Sequence, residues 1–316
     1  MELNGLTTGI ASAKDEAALL ALINLVQPHV PWTRAHLYWQ FFDLPAGPAK
    51  LYVIRDGDAI VSLYAAIPQI LEVEGHSLEA RMVQDVMTHP DFRGRGFLHH
   101  LAGVCLDNIN QSDIAGYTFP NDRSEKSFRR GGWSELCEVP HRSKDLEGHI
   151  HSGVSLRIEP LDGLFGGWAT EVWNVAGLSV GVRRDAQFLN WRYGKPDNKY
   201  YKYLIEDDRG LLVLKLYSDG VSGVLHILEL VLGIRARDLL PEVLAFCFDF
   251  AAGHGAQTVT AWLANGHPYA PQLDAAGLVI KPMRKRFVFV HAPAAYARRV
   301  EDAAAWHLTQ GDSDVF

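Results

Sequence analysis

The stretch Thr88-His89-Pro90-Asp91-Phe92-Arg93-Gly94-Arg95-Gly96-Phe97-Leu98 joins an apolar run to a run with helical spacing, and this restricts the local fold to a strand, a tight loop and a helix. The run before it, Met82-Val83-Gln84-Asp85-Val86-Met87, has the length and side-chain types of a strand buried on both faces. Pro90 ends that strand, because proline cannot donate to a ladder. Beyond the loop, Phe97, Leu98, Leu101, Ala102, Val104, Cys105 and Ile109 recur at helical spacing, so a helix begins near Arg95 or Gly96. Gly94 and Gly96 remove side chains where the backbone turns and leave the first helical N–H groups open. Such a terminus carries about half a positive charge and binds phosphate. On the residues alone, the segment is either a glycine-rich turn before a helix or a pyrophosphate cradle.

A dinucleotide fold places a third glycine where this chain has His99, and a P-loop needs Lys and Ser/Thr where neither follows Gly96. The segment instead resembles motif A of the GNAT acyl-CoA-dependent acetyltransferases, Arg/Gln-x-x-Gly-x-Gly/Ala, commonly preceded by Val-His-Pro-x-x. It departs from the family at Leu98, where a small residue is usual. A second block resembles the same family: a strand Ile114–119 ends at Pro120-Asn121, and Asn121, Ser124, Phe128 and Gly132-Trp133 follow in the family's order. The resemblance implies an acetyl-CoA or other acyl-CoA co-substrate held by Val86, Met87, Thr88, Arg93, Gly94, Arg95, Gly96, Phe97, Leu98, Asn121, Ser124 and Phe128. Many members carry a tyrosine at the position of Phe128 as the acid that reprotonates the thiolate. Phe128 has no proton to give and is read as a core contact.

The chain has 316 residues, enough for two domains that each bury a core, and 48% hydrophobic against 21% charged residues implies a packed globular protein. A net charge of -7 argues against nucleic acid as the main partner. Arg123, Lys126, Arg129 and Arg130 nevertheless form a local basic cluster, read either as a solvated helix face or as a contact for a coenzyme phosphate. Cys105, Cys137 and Cys247 are too few and scattered for a disulfide framework or a metal cage. His99 and His100 are adjacent on a helix and face different ways, so no metal site is expected. Neither a leader nor an apolar run of about 18 residues is present, so a cytoplasmic protein without membrane insertion is expected.

In chain order the spacing predicts helices over 15–26 and 34–42, a hairpin about Asp56-Gly57-Asp58, a turn at Glu74-Gly75-His76, and then the central strand, loop and helix. This is the order of a GNAT domain. The polar segment 140–153 is read as the boundary between a domain over residues 1–146 and another over 147–316. The second half repeats the first at a near-constant separation. Trp191-Arg192-Tyr193 follows Trp39-Gln40-Phe41, Glu229 follows Asp85, Asn265 follows Asn121, and Gly277-Leu278 follows Gly132-Trp133. Its counterpart of the loop, Leu232-Gly233-Ile234-Arg235-Ala236-Arg237-Asp238, lacks the paired glycines. The expected fold is therefore α/β: two tandem GNAT-like domains with mixed central sheets flanked by helices, the second degenerate and contributing to the acceptor site.

For the chemistry, the GNAT resemblance puts Val86, Met87 and Thr88 beside the thioester. Asp85, one step upstream, is either the general base or a carboxylate satisfied by backbone; Tyr117, Glu229 and Glu79 are its substitutes. Arg192 and Tyr193 suit an acceptor site, the guanidinium for a phosphate or carboxylate and the ring for a sugar or base. A helix-packing role for the Phe188–193 element is the alternative. That element and the tail from Trp306 to Asp314 resemble tandem acyltransferases of bacterial surface polysaccharides, which implies a small-molecule acceptor amine on an amino sugar. An aminoglycoside, polyamine or protein amine, or a non-catalytic acyl-CoA sensor, are the alternatives.

Overall fold

The computed structural model describes residues 5–121, 124–220, 222–281, 287–313 and 316, and apolar alternation in these residues builds two mixed sheets. The first part of the chain runs β1 (Thr7–Ala11), α1 (Glu16–Val26), α2 (Arg34–Phe41), β2 (Lys50–Asp56), β3 (Ala59–Val73), β4 (His76–Thr88), α3 (Phe97–Gln111), β5 (Ala115–Thr118), α4 (Glu125–Arg130) and β6 (Ser134–Glu138). It continues with β7 (His141–Asp145), β8 (Ile158–Pro160), α5 (Gly167–Asn174), β9 (Val180–Val182), α6 (Ala186–Arg192), β10 (Tyr201–Ile205), β11 (Gly210–Ser218) and β12 (Gly223–Leu232). The remainder is α7 (Leu240–Gly253), β13 (Thr258–Trp262), α8 (Ala270–Ala275), β14 (Val279–Ile280), β15 (Phe287–His291) and α9 (Ala297–Val300).

Two compact units result. The first comprises Met1–Leu71, Ser77–Leu136 and Arg286–Glu301, and the second Glu72–His76, Cys137–Lys285 and Asp302–Phe316. The sheet of the first runs β1-β2-β3-β4-β5-β15-β6, and that of the second β8-β10-β11-β12-β13-β7-β14. The two orders match strand for strand, so the repeat seen in the sequence is a repeat of architecture. Each contains a parallel pair at the same place in the order: β4 with β5 from Ala80↔Ala115 to Val83↔Thr118, and β12 with β13 from Val224↔Thr258 to Ile227↔Ala261. A helix crosses over between the partners. Phe97, Leu101, Cys105 and Ile109 of α3 bury against Tyr52, Ile54, Val61 and Val83, and the matching stripe of α7 buries against Leu212, Leu214, Leu225 and Ile227. Each large apolar side chain buried this way contributes about 1.5–3 kcal/mol.

The strands are not shared out at residue 146 as the polar segment suggested. His141–Asp145 is β7, seated between β13 and β14 of the second sheet, while Phe287–His291 is β15, seated between β5 and β6 of the first. The physical reason lies in Arg142, which is fully buried yet satisfied: Nε donates to Leu263 O (2.9 Å), Nη1 to Leu278 O (3.1 Å) and Asp274 Oδ1 (2.5 Å), and Nη2 to Asn265 Oδ1 (2.8 Å). A buried charge is tolerated when it is paired and hydrogen-bonded. A strand can therefore be polar in composition and interior in position.

Candidate functional site

In the first unit, β4 stops pairing with β5 beyond Val83 and Thr118, where the Thr118 hydroxyl donates to Val83 O (2.9 Å). Two residues on, Asp85 takes φ +50°, in the left-handed region that non-glycine residues rarely enter. The alternation of faces breaks there, and Gln84, Asp85 and Val86 are all half-buried. Val86, Met87 and Thr88 then line a cavity of about 640 Å³, together with residues 92–99 of the loop and helix start, and Asn121, Ser124, Ser127 and Phe128. Its size is in the range of small-molecule sites.

The loop folds as its glycines dictate. Gly94 and Gly96 have φ +77° and +78°, a Cβ at Gly94 would meet open space, and Gly96 caps α3 without any side-chain hydrogen bond to the helix. The first turn of α3, from Phe97 to His99, thus faces the cavity with its N–H groups uncapped by side chains. Arg93 is held by its Nε to Thr88 O (3.3 Å), and Arg95 by Nη2 to Asp91 O (3.3 Å), with its guanidinium 4.8 Å above the Phe92 ring. Opposite, Asn121 Oδ1 accepts from Ser124 N–H (3.2 Å) and Ser124 Oγ (3.3 Å) at the start of α4. Two arginines, an uncapped helix start and a polar turn suit a diphosphate ester. Among the described members of the basic cluster, Arg129 is instead paired with Glu125 (2.9 Å) and with Glu135, and Lys126 and Arg130 do not line the cavity. Arg123 lies outside the described residues.

The sequence-predicted cofactor residues are therefore brought together: Val86, Met87, Thr88, Arg93, Gly94, Arg95, Gly96, Phe97, Leu98, Asn121, Ser124 and Phe128 all line one cavity. Phe128 is buried, edge-on to Trp133 (5.5 Å) and tilted against Phe289 (6.3 Å) and Tyr64 (6.4 Å), so it is both a core contact and a wall of the cavity. Val26, Gln27 and Tyr64 also line it, and their sequence neighbourhoods carry no motif. The signal for Tyr64 is only its place on a strand whose face the sequence leaves open.

The catalytic candidates separate. Asp85 is half-buried and its Oδ2 accepts from Gln40 Nε2 (3.1 Å), a side chain supplied by α2. Tyr117 is 1% exposed between Met82 of β4 and Val290 of β15 and does not line the cavity. Glu79 is exposed and 3.8 Å from Arg81.

Glu229 is enclosed within the second unit. Its carboxylate meets Arg184 Nε at 2.9 Å, His307 Nε2 at 3.2 Å and the Tyr193 hydroxyl at 3.3 Å, with no exposure. Burial alone would raise its pKa, but Arg184 and His307 hold it below the usual carboxylate value. Arg184 also pairs with Asp312 (2.9 Å). Arg192 is buried too and donates to three carbonyls of the tail: Gly311 O (2.8 Å), Ser313 O (2.6 Å) and Phe316 O (2.9 Å). These contacts set Arg192 and Tyr193, expected at an acceptor site, and Glu229, expected as a substitute base, against the C-terminal segment instead, where all three help to fasten it. In the second sheet, where β12 and β13 diverge, that segment fills the gap. Gln310 Nε2 donates to Thr260 Oγ1 (3.1 Å), and a Cβ on Gly311 would strike Tyr193 Oη and Glu229 Oε2. Trp306 is docked, as its aromatic character suggested, and Asp312 is interior rather than part of a solvated acidic end; Asp314 lies outside the described residues. In the second unit's counterpart of the cradle, Arg237 is turned to the backbone, its Nη2 donating to Ala176 O (2.6 Å) and Gly177 O (3.2 Å). Among the described residues no group of His, Cys, Asp or Glu could hold a metal ion.

Residues 10–135 match the acetyltransferase (GNAT) domain family. No curated protein is similar enough in sequence to count as a relative. Among solved structures, the chain is similar to a GCN5-related N-acetyltransferase from Anabaena variabilis (16% identity, 92% of this chain and 73% of that one, TM-score 0.67). It is also similar to Saccharomyces cerevisiae N-myristoyltransferase with bound myristoyl-CoA (10% identity, 93% and 81%, TM-score 0.60). A third is a tandem GNAT protein from the clavulanic acid biosynthesis pathway (15% identity, 92% and 99%, TM-score 0.58). At these identities the likeness is one of fold. Residues 10–135 thus match the acetyltransferase (GNAT) domain family, and the chain has the two-sheet tandem GNAT fold.

Proposed function

We propose that the cavity of the first unit holds the acyl-CoA, with the pyrophosphate at residues 94–98 and the thioester beside Val86, Met87 and Thr88, and that the acyl group passes to a primary amine. The observation that carries this reading is the cavity itself, in which a strand freed from its partner leads through a loop with two arginines to an uncapped helix start. Asp85 is the base in this reading. Its carboxylate stands on the distorted part of β4, one residue before the cavity wall, and takes the proton of the attacking amine directly or through a water. The acceptor proposed is an amino sugar, carried on a nucleotide or lipid, which would place the enzyme in surface polysaccharide synthesis and in the cytoplasm. Its support is the sequence likeness of the two motifs, whose described residues act in anchoring the tail. An aminoglycoside, a polyamine or a protein amine therefore stands as the competing acceptor.

Calorimetry with coenzyme A tests the cradle: one molecule should bind per chain, and Gly96→Asp, which sets a carboxylate at the phosphate and a side chain at a positive φ, should abolish binding. Two equal sites, or undiminished binding by the variant, would refute it. Thioester turnover against amino sugars, nucleotide-linked amino sugars, aminoglycosides and polyamines then ranks the acceptors. Coenzyme binding without turnover on any amine would favour a sensor, which the absence of a phenol at Phe128 independently suggests.

A further inference from the structure

β4 keeps the alternation of a strand as far as Val83 and then loses it. Val83 and Val86 both pack on the core around Phe97 and Leu101 of α3, although they are three residues apart and strict alternation would set them on opposite faces. The change of side falls at Asp85, whose φ of +50° is a conformation that a non-glycine residue holds only where its surroundings fix it. Its carboxylate is carried to α2, where Oδ2 accepts from Gln40 Nε2 at 3.1 Å. Gln40 is itself held: it is 3% exposed, stands between the buried Trp39 and Phe41, and belongs to a helix whose start is fixed by the Thr33 hydroxyl accepting from the His36 N–H (3.2 Å). A buried amide is costly unless it is hydrogen-bonded, so a glutamine on the apolar side of a short helix calls for an acceptor. In the second half the places of Gln40 and Asp85 are taken by Arg192, which serves the tail carbonyls, and Glu229, which meets Arg184. A guanidinium pairs with a carboxylate as an ion and favours its charged form strongly, whereas an amide orients it without adding a charge.

We infer that Gln40 is the positioning residue of the proposed base: its amide fixes the plane of the Asp85 carboxylate, one residue before the cavity wall at Val86, and meets neither substrate. Gln40 does not line the cavity, so it acts through Asp85 alone. The inference rests on the reading of Asp85 as the base and adds to it the group that aims it. In the transfer, the amine nitrogen forms its bond to the thioester carbon, and the C–S bond breaks with its electron pair going to sulfur. The proton of the attacking amine goes to Asp85 and from there to solvent. Gln40 keeps both of its amide protons throughout.

The test uses the full-length protein with acetyl-CoA and whichever of glucosamine, kanamycin and spermidine the wild type acylates fastest. Gln40→Met fills a similar volume without the donor. Its kcat should fall roughly tenfold, the scale of one lost hydrogen bond to a charged group, while coenzyme A affinity measured by calorimetry stays unchanged. The acid limb of kcat against pH should move up by about one unit, because the ionised carboxylate loses a donor that favoured it. A role in packing alone would leave that limb in place. In the Asp85→Asn background, Gln40→Met should cost less than about twofold more, since no base is left to aim. Should Gln40→Met give no folded protein, Gln40→Asn, whose amide is one methylene short of Asp85, gives the same readings. Equal losses in both backgrounds, or an unmoved acid limb, overturn the inference and leave the base reading intact. Full turnover by Asp85→Asn refutes the base reading, and a wild type that acylates none of the three amines refutes acyl transfer to them; in either case the inference falls as well.

Discussion

Two carboxylates that occupy matching places in the repeat meet opposite fates. Asp85 sits on a strained turn of strand and accepts from the Gln40 amide at 3.1 Å, whereas Glu229 is locked between Arg184, His307 and Tyr193. A positioned base contributes roughly 10²- to 10⁴-fold. Asp85→Asn should therefore lower turnover on that scale with coenzyme affinity unchanged, and a flat result in steady-state assays at several pH values would return Asp85 to a structural role. Glu229→Gln should act on stability instead. Removing one member of a buried ion pair costs about 3–5 kcal/mol, which thermal or urea unfolding would register, while kcat of the folded protein stays put. The pH dependence has a definite sign. Burial, then His307, holds His267 well below its ordinary 6.5, and Glu229 is held below its ordinary 4.5. Both folded values are depressed, so both contributions are complete above the unfolded pKa and are lost as pH falls, first for His267 below about 6.5 and then for Glu229 below about 4.5. Melting temperatures taken from neutral to acid pH should decline in that order, and His267→Gln should flatten the upper part. The cradle glycines were legible because a positive φ strongly favours glycine, and two of them stand together at φ +77° and +78°. The burial of Arg192 was not, because the carbonyls it serves lie more than a hundred residues away in the chain.

Among the elements, those whose apolar period is strong were legible: α1, α2, the hairpin of β2 and β3, and α3, which begins at Phe97, one residue after the expected glycine. β7 was not, because His-Arg-Ser-Lys-Asp has no apolar period, and its place inside a sheet depends on acceptors from Leu263, Leu278, Asn265 and Asp274. β15 carries the complementary lesson. Phe289 is fully buried and packs with Phe128 on the cavity wall, although it enters the first sheet from far down the chain. Phe289→Ala should cost about 3–5 kcal/mol, and because Phe128 loses a neighbour, coenzyme affinity should weaken as well. Calorimetry on the folded fraction checks the second effect, and unchanged affinity would mean that the wall holds its shape without that ring.

For the whole molecule, the strand orders imply that neither half of the chain is complete alone. A fragment ending at residue 146 contains β7, which belongs to the second sheet, and lacks β15, which fills the first between β5 and β6. Unpaired edges of that kind associate. The fragment should fail to show a cooperative melt and should aggregate, and a soluble, cooperatively folding fragment with full coenzyme affinity would refute the requirement for β15. The sequence by itself determined the α/β class, the repeat, the glycine cradle and the loss of that cradle in the second half, since all of these are local: they follow from backbone permission, apolar period and residues near one another in the chain. The tertiary structure settled which polar residues are interior, how β7 and β15 are allotted, that the tail occupies the gap between β12 and β13, and that Tyr64 lines the cavity. Those outcomes depend on pairings between distant segments, and a buried charge is stable according to partners that no local pattern encodes.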